Sequence, residues 1–142
     1  MPLTALLSAD ASPRPPLATA LREGTFALHR EAERAGIMRE LLRGRVTRGG
    51  YCALLRNLHA LYWTLEANLT RHAADQAIAV IPLPVLARSA ALANDLESLH
   101  GARWERELPL ATAMVRYVER LDEVARADPR ALLSHAYVRY LG

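Results

Sequence analysis

His29 stands at four-residue steps from Thr25 and Glu33 within LREGTFALHREAE, residues 21–33. On a helix of 3.6 residues per turn these three positions share one face, so a small residue, an imidazole and a carboxylate line up in a column. Such an imidazole can offer one ring nitrogen to iron or zinc. The other nitrogen then needs an acceptor that fixes the tautomer, and Glu33 is placed to supply it directly or through water. The same column also describes a surface or groove histidine that only hydrogen-bonds Glu33, because short motifs recur by chance.

The elements that must carry this column are helices. Alanine, leucine and arginine are abundant, Phe26 is the only phenylalanine and β-branched residues are sparse, which favours helix over strand throughout. The first helix is expected over about Leu17 to Ala35, followed by a short helical turn, IMRELL, closed by Gly44. Thr47 suits the N-cap of a long helix whose Tyr51, Leu54, Leu55, Leu58, Leu61, Tyr62, Leu65 and Leu69 form an apolar stripe. Arg56, Asn57 and Glu66 fall outside that stripe or at its edge. A loop is expected from about Ala74 to Leu83. Pro84 then opens a helix carrying Leu86, Leu92, Leu96 and Leu99, capped by Gly101. A further helix starts near Thr112, and Asp128 with Pro129 marks the start of a last one.

Length and charge narrow the function classes. At 142 residues the chain suits a single domain with its own core. All 18 basic residues are arginine, against 15 acids, for a net charge of +3. That mild excess contains no basic run, so nucleic-acid binding gets little support, whereas arginines can bind carboxylates or an acidic protein partner. Cys52 stands alone, which rules out an intrachain disulfide and suits a reducing, cytoplasmic compartment. Residues 1–16, MPLTALLSADASPRPP, lack the basic region and long apolar core of a secretory signal and read as a flexible N-terminal arm before a helical domain at 17–142. The apolar run IAVIPLPVL is broken by Pro82 and Pro84 and is far shorter than the roughly 20 residues of a membrane span.

The segments LREGTFALHREAE, GRVTRGGY, NLHALYWTLE, AALANDLESLHGARW, TAMVRYVERLDEVARADP and SHAYVRYLG follow one another from about Leu17 to the C-terminus. Together they resemble the heme oxygenase family. The resemblance implies an all-α, multi-helix bundle that holds heme between a proximal and a distal helix and opens the ring to biliverdin, ferrous iron and carbon monoxide. It makes His29 the axial ligand of the heme iron, with Glu33 the carboxylate beside it. Arg22 matches the basic residue that reaches a heme propionate, here arginine where lysine is often found, which keeps the charge and changes the reach. Tyr137 is implied near a propionate, and Tyr62 and Arg139 in the hydrogen-bonded water network above the iron. Gly142 matches the glycine directly before the aspartate that holds the critical water. An external reductase or ferredoxin-like donor is implied as the electron source.

The chain stops at Gly142, so the resemblance covers the N-terminal portion of the family domain, and the fold is expected to be C-terminally truncated. Each distal residue also has a plain packing role available: Tyr62 lies on the apolar stripe, Tyr137 and Tyr140 can pack in an amphipathic helix, and Arg139 can be a solvated edge. His135 reads as a non-ligand. His59, His72 and His100 form no HxxxH or HExxH pair, which argues against zinc, and the single Glu-x-x-His spacing, Glu97 to His100, has no counterpart on a second helix for a di-iron bundle. Apolar helix faces left in water cost about 25 cal/mol per Å², so several hundred Å² amount to several kcal/mol. Marginal stability, self-association or a heme-sized groove lacking part of its distal wall is therefore expected. The functional alternatives are a heme-degrading oxygenase, a truncated non-catalytic or vestigial heme-binding domain, and a helical relative acting on another small molecule.

Overall fold

The computed structural model describes residues 15–34 and 36–140. Most of the expected arm, residues 1–14, lies outside them, as do Ala35 and Gly142. The described residues are helical, without a strand among them, and fall into two compact units, Met1–Arg45 and Val46–Gly142.

The first unit carries α1 (Leu17–Arg34) and α2 (Gly36–Leu42). Helix α1 begins where the Ala20 N–H reaches the carbonyl of Pro16, a residue that cannot itself continue a helix N-terminally. Helix α2 ends as the glycine signal predicts. Gly44 takes φ +66°, which lets the Arg45 N–H bond to the Glu40 carbonyl at 2.8 Å and the Gly44 N–H to that of Leu41 at 3.0 Å. Those are the paired bonds of a Schellman cap, and a side chain at position 44 would strain them.

The second unit is built around α3 (Arg48–Arg71). Its N-cap is Thr47, whose hydroxyl accepts the Gly50 N–H at 3.1 Å. Leu55, Leu61, Leu65 and Leu69 of the expected stripe are buried, and Tyr51, Leu54, Leu58 and Tyr62 are half-buried. One side of α3 packs on α6 (Ser89–His100) and α7 (Trp104–Glu107) through Cys52, Leu55, Leu96 and Trp104. The other packs on α8 (Thr112–Ala127) and α9 (Leu132–Tyr140) through Leu65, Leu69, Leu121, Leu132 and Ala136. Asn68 adds a polar link, its amide donating to Asp122 of α8 at 2.7 Å.

Two expectations are corrected. The loop before Leu83 contains a helical turn, α4 (Gln76–Ala79), capped by Asp75, whose carboxylate accepts the Ala77 N–H at 2.8 Å. The helix expected to run from Pro84 through Leu99 is interrupted: α5 (Leu83–Leu86) stops, Ala87 turns extended at ψ 135°, and α6 begins at Ser89. The cause is tertiary. The Glu66 carboxylate takes the backbone N–H groups of Arg88, at 2.7 Å, and Ser89, so it satisfies donors that open α6. The last helix starts as Asp128 and Pro129 predict, with a 3₁₀ turn at Pro129–Ala131 leading into α9 and the Asp128 carboxylate accepting the Arg130 N–H.

Candidate functional site

The residues named for the expected site are divided between the two units. In the first, α1 exposes His29, Arg22 and Glu33. The His29 Nδ1 lies 3.1 Å from the carbonyl oxygen of Thr25, one turn back. A carbonyl oxygen only accepts, so this contact places the ring proton on Nδ1 and leaves the Nε2 lone pair outward. The acceptor that selects the tautomer is thus the Thr25 backbone, where the sequence spacing pointed to the Glu33 carboxylate. The signal was present in the same column, because residue i−4 of a helix always presents its carbonyl towards residue i.

In the second unit, Tyr62 of α3 and the end of α9 meet. The Tyr62 hydroxyl donates to the Arg139 carbonyl at 3.0 Å, and the Tyr62 and Tyr140 rings stand 5.5 Å apart. The Arg139 guanidinium lies over the Tyr117 ring at 5.3 Å, and the Tyr117 hydroxyl pairs with the His135 Nδ1 at 3.0 Å. Tyr137 is 64% exposed and lines an apolar groove with Val80, Ile81 and Leu133. Tyr62 and Arg139 are therefore brought together through one hydrogen bond, while Tyr137 presents its ring to the surface.

Glu66, expected outside the stripe or at its edge, is buried and organises this end of the molecule. Its carboxylate accepts the Tyr140 hydroxyl at 3.1 Å, the Ser89 hydroxyl, and the Arg88 and Ser89 N–H groups. Four donors from two other segments make the burial of this carboxylate tolerable. Burial, reinforced by the neighbouring Glu66 carboxylate, pushes the Tyr140 phenol well above its ordinary value, so it remains a donor. A glutamate four residues after Tyr62 shares its helix face, and that spacing was the available sign of a common role.

No group of three or more histidine, cysteine, aspartate or glutamate side chains arranged for a metal ion occurs among the described residues. No described helix is long and apolar enough to cross a membrane.

The family model of heme oxygenase matches residues 15–142. The chain belongs to the heme oxygenase family. It is 42% identical over 127 residues to human heme oxygenase 1, which covers 89% of this chain and 44% of that protein. It is 35% identical over 126 residues to heme oxygenase 1 of the cyanobacterium Synechocystis, covering 89% and 52%. The crystal structure of the latter heme oxygenase in complex with heme superposes with a TM-score of 0.78 at 34% identity, over 88% of this chain and 57% of that one. Heme oxygenase from Leptospira interrogans gives 0.77 at 32% identity, over 88% and 61%. The chain spans about half the length of the curated heme oxygenases it matches.

Proposed function

We propose that the chain carries out the heme-binding part of heme oxygenase chemistry, the oxidative cleavage of heme to biliverdin, ferrous iron and carbon monoxide, with His29 as the axial ligand. The observation that carries this reading is the exposed His29 imidazole, whose Nδ1 is tied to the Thr25 carbonyl so that the Nε2 lone pair is available to iron. Membership of the family supports it, as does the heme held by the Synechocystis relative.

The residues present fit a heme. Arg22 and Tyr137 supply a cation and a phenol for propionates, and Glu33 is the carboxylate one turn from His29. Tyr62 and Arg139 belong to the distal side. The Tyr62 hydroxyl, already committed to the Arg139 carbonyl, holds the backbone at the end of α9 in place, and Gly142 follows three residues after Arg139 in the chain. When bound, heme supplies the iron and the ring carbon at which oxygen is inserted. The protein's part would be to bind the iron through Nε2 of His29 and to hold the propionates through Arg22 and Tyr137, with Tyr62 and Arg139 supplying polar groups for the water network. Electrons come from an external reductase or a ferredoxin-like donor.

Turnover tests this directly. The heme-loaded chain, given oxygen and a reductant, is expected to lose the Soret band and yield biliverdin, with His29→Ala at least tenfold slower. A stable complex that yields no biliverdin would reduce the proposal to heme binding alone, and a chain that takes up no heme would overturn it in favour of another small molecule.

A further inference from the structure

Away from Tyr62, Tyr137 and Arg139, α3 and α7 frame an open groove of about 450 Å³ within the second unit. Its floor is His59, only 8% exposed, wedged between two indoles: Trp104 edge-on at 4.8 Å and Trp63 nearly parallel at 6.1 Å. The Nδ1 atom of His59 is shut off from solvent and has no hydrogen-bond partner. An orphaned N–H is costlier to bury than an orphaned lone pair, because the lone pair gives up a weaker hydration, so the neutral ring keeps its proton on Nε2. Burial, with help from the Arg56 charge, holds the His59 pKa below its ordinary value and the ring neutral. His59 therefore offers the groove one donor, Nε2–H, and has no acceptor for it among the described residues.

The other groups along the groove agree on what that donor meets. Arg56 lines the same space, its guanidinium 5.2 Å over the Trp104 ring and its Nε donating to the Leu108 carbonyl at 3.3 Å. Those contacts fix the plane of the guanidinium and leave terminal N–H groups uncommitted. Arg56 has no carboxylate partner among the described residues. Trp63 is 62% exposed, an unusual degree for so large an aromatic ring, and it presents a flat face at the rim. Glu105 also lines the groove and keeps its charge near zero, so the site does not attract anions indiscriminately.

We propose that this groove is a binding site for a small aromatic carboxylate, its ring stacked on Trp63 and its carboxylate held by the Arg56 guanidinium and the Nε2–H of His59. Two donors of different geometry converging beside an aromatic wall suit a planar anion joined to a ring.

The probes are 3-phenylpropionate, its amide 3-phenylpropionamide, and butyrate, followed by saturation-transfer NMR and by the fluorescence of the tryptophans in the full chain. The carboxylate is expected to bind saturably, with the amide and butyrate each at least tenfold weaker. Trp63→Ala is expected to abolish binding and to leave the helical circular dichroism unchanged, since most of that ring is exposed. Arg56→Gln is expected to weaken the carboxylate at least tenfold and to leave the amide unchanged. Equal binding of acid and amide, binding unaffected by Trp63→Ala, or no saturable binding of 3-phenylpropionate would overturn the proposal. Since no heme is added, failure here leaves the reading of His29 untouched.

Discussion

Tautomer control sets what His29 can do. Once the Thr25 carbonyl holds the Nδ1 proton, a neutral ring has its lone pair on Nε2, which is the arrangement the proposed ligand role needs. The histidine and its helix face were legible in the sequence, because a four-residue repeat needs only helical geometry. The identity of its acceptor was not, because backbone carbonyls compete with every side chain and leave no mark on residue type. Glu66 escaped for a related reason: a charged residue beside an apolar stripe reads as solvated until the donors that surround it are known. Glu66→Ala strands the Tyr140 and Ser89 hydroxyls and two N–H groups, and is expected to lower the unfolding free energy by about 3 kcal/mol in urea titrations. The histidines give a pH signature. His59 lies against Arg56, Glu105 and Glu66, and His135 against Arg139 and Arg120; burial is the main cause that lowers both pKa values from 6.5. The unfolded chain thus binds protons more readily than the folded one, so their contribution is present above pH 6.5 and is lost as the pH falls through that value towards the depressed folded pKa. Urea midpoints are expected to fall between pH 8 and pH 5, with a smaller fall in His59→Phe, and equal slopes in the two proteins would contradict this.

At the level of elements, α3 is where periodicity spoke most clearly, since a helix of 24 residues repeats its apolar face many times. Caps with a local mechanism, Thr47, Gly44 and Asp128, were equally legible, because each acts within four or five residues of itself. The break between α5 and α6 was not. It depends on a carboxylate 22 residues earlier in the chain taking the Arg88 N–H, and nothing in the local sequence from Leu83 to Ser89 demands it. The central role of α3 carries a prediction of its own. Leu65 is fully buried where α3 meets α8 and α9, so Leu65→Ala is expected to cost about 2–5 kcal/mol in chemical unfolding. Leu42→Ala, on an exposed position of α2, is expected to change stability by less than about 0.5 kcal/mol.

Across the whole molecule, several large apolar side chains of the described residues lie in water. Val80, Val85, Tyr137 and Val138 are all at least 60% exposed, and Tyr137 and Val80 share one groove. Such surface favours association. The isolated chain is expected to bind a hydrophobic dye and to sediment as larger species with rising concentration; a dye-free monomer at all concentrations would argue against it. The central claim, that the Nε2 atom of His29 binds heme iron, has its most direct test in rescue of a cavity variant. Heme is titrated into the wild type, into His29→Ala, and into His29→Ala with free imidazole, and the absorption and electron paramagnetic resonance spectra are compared. Wild type is expected to show a histidine-ligated spectrum that His29→Ala lacks and that imidazole restores; identical spectra for wild type and His29→Ala without imidazole would contradict the assignment.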